Sequence, residues 1–510
     1  MKSAKTQPKN TRYIRRKYQV FQRNFLFRTG MSRTTLISLI LLLSACHTRF
    51  SQNDMLPCNS SRTIEQTSKD NIYVTLNAMQ HLHILQIYGG AYHDAKLERL
   101  LANIVHKLRA VSPNSHQSYS VTILNSESVN AFALPNGSIY ITRGMLALAN
   151  DCAEVASVLA HEIAHITAHH GILRRQKEAE LKMKNPMSSN LLSHTGRKIQ
   201  NPIEDKQQLA QFSRNQELEA DSLALDMLQQ AGYDPFASPR FLQSMEAYSV
   251  FRNISGIPNA PLDFLASHPT TPQRVRLAIE KAGKISPSNI GITERDSFLK
   301  SIDGMIFRGN FQTGFVRGNQ FIHPQLRVTF SVPTNFTIEN SMHTLWASGP
   351  GNIAIRFDSV PHPAGMSASD YLKSGWLVGL DKLSVRPITL HGLPGAHARA
   401  ANEQWQFDVV VILFNKHVFR FLTAAPHNSK NFEEIAKNTV QSFDFLSSSQ
   451  LKKLKPLRIR IVRVKKGESI AQVANKMHYT THKEKLFRVL NALSPSQTLH
   501  TDTNVKVITE

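Results

Sequence analysis

At 510 residues the chain is too long for one ordinary core and predicts two to four domains. Its 41% hydrophobic and 19% charged content is that of a globular protein, and three cysteines exclude a disulfide scaffold. The only strongly apolar run, Leu36–Leu43, is far below the ~20 residues of a spanning helix, which excludes a polytopic membrane protein. The net charge is +23, and residues 1–45 hold ten Lys/Arg and no acid. The remainder keeps 50 basic against 37 acidic residues, +13, which favours an anionic surface such as a membrane or cell-wall polymer. No nucleic-acid partner is expected.

Residues 1–30 form a basic leader: an extended n-region, a transit peptide or, preferred here, untranslated sequence before a true start at Met31. Residues 31–45 read as a signal peptide ending Leu43-Ser44-Ala45 before Cys46. This resembles the bacterial lipoprotein lipobox, which implies cleavage before Cys46, lipidation of its thiol and attachment to a membrane facing the periplasm. His47 after the cysteine leans toward the outer membrane. The plainer alternative is an ordinary signal peptide or uncleaved anchor. With Cys46 lipidated, Cys58 and Cys152 remain as a pair that an oxidising compartment could join.

Residues 46–72 read as a tether and 73–290 as the first domain. Helical periodicity is expected over Val74–Ala91 and Ala95–Leu108, and a strand over Tyr119–Leu124. Asn130–Arg143 reads as a hairpin or edge strand around a Pro-Asn-Gly turn. Asp151–His170 is expected as one helix with a capping-box-like Asp151/Glu154 start, an apolar stripe at Val155, Leu159, Ile163 and Ile166, and a stop at Gly171. Residues 172–210 read as helix, loop and helix, and Gln216–Gln230 as a further helix.

Residues 300–447 change rhythm, with strands at Leu326–Val332, Ile353–Phe357, Trp405–Phe414 and Val418–Leu422 and a helix at Phe432–Val440. They read as a small α+β domain of unassigned role. Phe330-Ser331-Val332-Pro333 and the late Thr439–Phe443 give it a loose resemblance to PsbP-type sandwiches, which implies no function. Residues 455–510 run strand, helix, helix, strand and resemble a LysM-type βααβ module. With residues 451–454 they carry thirteen Lys/Arg against four acids. The resemblance implies a cell-wall glycan or peptidoglycan partner; the alternative is a module that merely closes the structure.

The chemistry sits at His161-Glu162-Ile163-Ala164-His165. Four apart on a helix, the two imidazoles share a face and converge on one point, as a tetrahedral Zn²⁺ requires. Glu162 can reach a metal-activated water as general base without ligating. A third histidine at the metzincin spacing fails, because that position is Gly171. Glu217 on a second helix can complete the set, and Asp221, one turn on, can fix a ligand tautomer. Glu219 points roughly 200° from Glu217 and is expected in solvent. His169 and His170 receive no role.

These blocks, with Asn130–Leu146 before them and Ser267-His268-Pro269-Thr270-Thr271-Pro272 after, resemble zinc peptidases of the CAAX-prenyl-protease, HtpX and BepA kind over about residues 85–285. The resemblance implies a mainly α gluzincin domain with a small sheet, one Zn²⁺ per chain, and endopeptidase activity on polypeptides. It also implies an edge strand at Asn130, Ala131 and Phe132 that pairs with extended substrate, and a His268 that caps the metal or donates to the oxyanion. Arg274 reads as a structural charge partner. Asn136 departs from the usual Gly after the proline, and Asn tolerates left-handed geometry too.

The whole reads as multidomain: the zinc-peptidase domain, the α+β domain and the LysM-like module. The expected function is cleavage of unfolded or misassembled envelope proteins on the periplasmic side. A latent chaperone-like binding module and a peptidoglycan-associated peptidase are the alternatives.

Overall fold

The computed structural model describes residues 69–184, 202–254, 264–269, 271–286, 291–309, 311–340, 344–377, 379–478 and 482–510. The basic leader, the signal, Cys46, Cys58 and nearly all of the tether lie outside the described residues. Among the described residues no helix is long and apolar enough to cross a membrane.

Helix α1 (Lys69–Tyr88) stops three residues before the expected end. Gly89 and Gly90 both take positive φ, +83° and +86°, and break the helix there. A Cβ on Gly89 would stand 3.0 Å from the Asn125 carbonyl oxygen, so the close approach also needs glycine. Helix α2 (Ala95–Val111) starts at Asp94, whose side chain accepts from the N–H groups of Lys96 and Leu97. It buries Leu97, Leu101, Ile104, Val105 and Leu108 along one face.

Strands β1 (Ser120–Leu124), β2 (Ala131–Ala133) and β3 (Ser138–Thr142) form a sheet ordered β1-β3-β2, with β1 parallel and β2 antiparallel to β3. The hairpin is as expected and β2 is its edge. In the turn Gly137 supplies the positive φ, while Asn136 acts through its side chain, accepting the Ser138 N–H at 3.0 Å.

Helix α3 (Arg143–Leu148) leads into α4 (Cys152–Thr167). Asp151 caps α4 by accepting the Glu154 N–H at 2.7 Å, but Glu154 reaches back to the N–H of Asn150, one residue before the cap. Every residue from Cys152 to Ala164 is buried, so the expected stripe becomes a helix buried all round. Neighbouring α2, β2, α6 and α7 enclose it. The chain breaks at His169, φ +55°, not at Gly171, which sits in the first turn of α5 (His170–Lys184). The N–H groups of Ile172 and Leu173 bond the His169 carbonyl, so His169 ends one helix and opens the next.

Helix α6 (Pro202–Gln230) is one continuous element where two shorter helices were expected. Then follow α7 (Ala237–Ile254), the single turn α8 (Phe264–Ser267), α9 (Pro272–Ile285) and α10 (Arg295–Ile302). Thr271 caps α9, with Pro272 in its first turn. Cys152 is a free buried thiol at the start of α4, 3.7 Å from the Glu294 carbonyl.

After β4 (Ile306–Arg308) the chain builds two antiparallel sheets. One holds β5 (Phe315–Arg317), β6 (Gln320–His323), β7 (Val328–Ser331) and the late β15 (Asp444–Phe445). The other runs β11-β12-β13-β14-β10-β9-β8. Its strands are β8 (Thr337–Asn340), β9 (Thr344–Gly349), β10 (Ile353–Pro361), β11 (Arg386–Leu390), β12 (Leu393–Ala401), β13 (Trp405–Phe414) and β14 (His417–Pro426). Helices α11 (Ala368–Lys373) and α12 (Phe432–Gln441) accompany them. Phe321, Phe330, Phe357, Phe419, Phe421 and Phe443 fill this second core.

The C-terminal segment is β16 (Leu457–Arg463), α13 (Ile470–Asn475), α14 (Lys483–Leu490) and β17 (Asn504–Thr509). β16 pairs antiparallel with both β17 and β4. Ile459, Val473, Phe487 and Val507 share one continuous core with Leu101, Leu159 and Leu228 of the first region. Lys506 is fully buried and donates to the carbonyls of Ala147, Leu148 and Ala149 at 2.8, 3.3 and 2.6 Å, closing the C-terminal end of α3.

Candidate metal centre

Four side chains from three elements meet at one point. His161 and His165 come from α4, Glu217 from α6, and His268 from the residue after α8, each offering a donor atom within 4.8 Å of the others. His161 Nε2 lies 3.0 Å from His165 Nε2, 3.4 Å from His268 Nδ1 and 3.4 Å from Glu217 Oε2. Glu217 Oε1 lies 3.0 Å from His268 Nδ1 and 3.5 Å from His165 Nε2. A regular tetrahedron around zinc, with bonds of 2.0–2.1 Å, has edges of about 3.3–3.4 Å.

The donor chemistry fits a cation. His161 Nδ1 lies 3.1 Å from Asp221 Oδ1, an acceptor, so the ring proton belongs on Nδ1 and Nε2 keeps a bare lone pair. That lone pair faces two other imidazole nitrogens and a carboxylate, a clash of acceptors that a shared divalent ion resolves. Burial opposes charge on His161, while hydrogen bonds with Asp221 and Glu217 push its pKa up to about 9. Burial drives His165 far down, reinforced by His161 and His268. Burial alone would raise Glu217, but hydrogen bonds with His161 and His268 hold it well below the carboxylate range. The residues present therefore suit a zinc ion.

Asp221 is gripped by Arg274 from α9, Nε to Oδ2 at 2.7 Å and Nη2 to Oδ1 at 2.8 Å. Arg274 Nη1 also stands 2.9 Å from Glu217 Oε2 and donates to the Pro269 carbonyl at 3.1 Å. Burial would raise Asp221, but the bonds from Arg274 and His161 keep it low. One guanidinium thus ties both carboxylates of α6 to the loop that carries His268. Phe264 stacks on the His268 ring, centroids 4.4 Å apart at 20°, and its own N–H bonds the Val129 carbonyl.

Glu162 is buried and its pKa is raised, chiefly by burial against the opposing charges of His268 and His161. Its carboxylate accepts the Ala133 N–H. Its Oε1 has no hydrogen-bond partner among the described residues and stands 3.8 Å from His268 Nε2. An oxygen free to take a proton beside the donor cluster is what a general base needs.

A cleft of about 180 Å³ opens over this cluster, lined by Phe132, Ala133, Pro135, Glu162, Ile166 and His268 among others. The N–H of Leu134 bonds the Ser138 carbonyl and that of Thr142 the Asn130 carbonyl, so alternation turns the backbone groups of Ala131 and Ala133 away from β3. Of the three residues expected on the edge, Phe132 lines the cleft, stacked on Tyr140. Asn130 and Ala131 are buried, with Asn130 Nδ2 on the Tyr88 hydroxyl at 3.0 Å.

Three further residues meet the site: His170, given no role in the sequence, Glu219, expected in solvent, and Gln216. His170 lies 2.9 Å, Nδ1 to Nδ1, from His165; Glu219 lies 3.3 Å from His170 Nε2; and Gln216 donates to the His170 carbonyl at 3.0 Å. The left-handed turn at His169 brings His170 back onto the site, and no periodicity argument signals it. Cys46 lies outside the described residues.

Residues 93–282 match the model of Peptidase family M48. A beta-barrel assembly-enhancing protease of Yersinia pestis is 27% identical over 234 residues, 44% of this chain and 47% of that protein. The mitochondrial metalloendopeptidase OMA1 of Schizosaccharomyces pombe is 25% identical over 231 residues, 44% of this chain and 66% of that protein. OMA1 of Arabidopsis thaliana is 32% identical over 163 residues, 31% of each chain. The chain thus spans about half the length of the bacterial relative. A Synechocystis PsbP structure aligns over 26% of the chain at TM-score 0.22, too low to carry a fold argument. The matched segment is similar to that of metalloendopeptidases.

Proposed function

We propose that this chain is a zinc-dependent endopeptidase that cleaves unfolded or misassembled proteins of the cell envelope. The observation that carries the reading is the meeting of His161, His165, Glu217 and His268 beside the Glu162 oxygen. His161, His165 and Glu217 would hold the zinc, with Asp221 and Arg274 orienting His161. When bound, the zinc lowers the pKa of a water and polarises a carbonyl. Glu162 takes the proton of the attacking water and delivers it to the leaving amine. The Ala133 N–H being held by Glu162, its outward carbonyl, at the cleft, would pair with an extended substrate strand, which favours unfolded chains over any one sequence.

The envelope assignment draws on the relatives named as beta-barrel assembly-enhancing proteases. With it go the periplasmic side, the lipid anchor at Cys46 and a preference for the outer membrane. The βααβ unit is read as LysM-like, with peptidoglycan as its partner. The domain boundaries stay as read from the sequence: 73–290, 300–447 and 455–510.

A latent form is favoured by one contact: His268 Nδ1 sits 3.0 Å from Glu217 Oε1, in the place of a fourth donor where a reacting water must enter. The deciding experiment is Glu162→Gln, assayed on an unfolded substrate with zinc content measured alongside. Loss of cleavage by about 10²–10⁴-fold at unchanged zinc supports the mechanism. Full cleavage by the variant removes it.

A further inference from the structure

We propose that His170 and Glu219 form a hydrogen-bonded relay that fixes the tautomer and orientation of His165, and so set how tightly the site holds zinc. The inference rests on the zinc reading above and adds two residues to it as positioning residues.

The protons can be assigned from the outside in. An ionised carboxylate only accepts, so at 3.3 Å from Glu219 Oε2 the His170 Nε2 must carry its proton. A neutral His170 then has a bare Nδ1. That atom lies 2.9 Å from His165 Nδ1, so the His165 proton sits on Nδ1 and is donated outward. His165 Nε2 is left with its lone pair directed at His161 Nε2, Glu217 and His268. A single acceptor at the rim therefore selects the ligating tautomer of a ring two steps inward.

The local backbone is shaped for this. His169 takes φ +55°, so α5 starts by turning His170 back against α4. His170 is buried, and Gln216 pins its carbonyl from α6 at 3.0 Å. Glu217, Glu219 and Asp221 share one short stretch of α6. Glu217 faces the donor point, Asp221 orients His161, and Glu219 closes the outer side of His170. The two histidines of α4 are thus oriented by different devices: a buried arginine–carboxylate pair for His161, and a histidine relay ending in a largely exposed carboxylate for His165.

The test measures zinc affinity of the full chain by competition with a chromophoric chelator, and the visible spectrum of the Co²⁺-substituted protein. The variants are His170→Phe, Glu219→Ala and Glu219→Gln. His170→Phe should weaken zinc by about 10–100-fold and alter the Co²⁺ bands. Glu219→Ala should act in the same direction by a smaller factor, and Glu219→Gln, whose amide oxygen still accepts, should recover native affinity. A merely structural role for Glu219 would not distinguish Ala from Gln. Native affinity and spectrum in both His170→Phe and Glu219→Ala overturn the relay. Should His170→Phe not fold, the Glu219 pair decides by itself: equal affinities for Ala and Gln overturn it. A native chain that binds no zinc defeats the underlying site reading instead, a separate outcome.

Discussion

Arg274 holds Asp221 with two parallel hydrogen bonds, Nε to Oδ2 at 2.7 Å and Nη2 to Oδ1 at 2.8 Å, and through Asp221 it orients His161. The guanidinium, Asp221 and the neighbouring Glu217 are buried, so they compensate one another away from water.

Arg274→Met leaves Glu217 and Asp221 as buried, uncompensated carboxylates. The expected cost is about 3–5 kcal/mol of stability, with weaker zinc binding. Urea unfolding of the zinc-loaded and metal-free proteins checks it. Arg274→Lys should recover only part of the loss, since an ammonium cannot reproduce the fork.

His268→Ala removes the fourth donor and the ring facing Glu162. Zinc content should stay at the native level, because His161, His165 and Glu217 remain, while hydrolysis of an unfolded substrate rises. A fall in hydrolysis at full zinc content would instead mark His268 as an oxyanion donor.

Lys506→Met deprives three carbonyls at the end of α3 of their shared donor, and Glu154 of a nearby cation. A loss of about 3–5 kcal/mol is expected. Because the C-terminal unit shares the first region's core, hydrogen exchange of β16 and β17 and zinc release, followed along one urea titration, should report one lowered unfolding midpoint. Two separate transitions would contradict the shared core.

Cys152 tests burial directly. Burial, reinforced by the charge and hydrogen bond of Glu294, pushes its thiol up to about 12, so almost no thiolate exists at pH 8. Iodoacetamide at that pH should label Cys152 only after denaturation, as read by peptide mapping. Labelling of the native protein would show that the start of α4 opens.

Local features were legible along the chain because they depend on neighbours a turn or a hairpin apart. The spacing of His161 and His165, the spacing of Glu217 and Asp221, the Asp151 cap and the pairing of β2 with β3 all follow from helical or strand periodicity. That Glu217 could meet the two imidazoles was an inference from ligand chemistry, and the crossing of α4 and α6 realises it. What only the tertiary structure decided is long-range or conformationally exceptional. Lys506 arrives from more than 350 residues away on an element whose docking leaves no periodic trace, and His268, expected at the metal through the resemblance alone, comes from 107. His169 takes the left-handed turn that was expected at Gly171, which turns His170 inward, so that Glu219, exposed as expected, also meets a ring. Periodicity determines which side chains share a face. Which faces then meet is settled by burial of the whole core, a property of the folded chain.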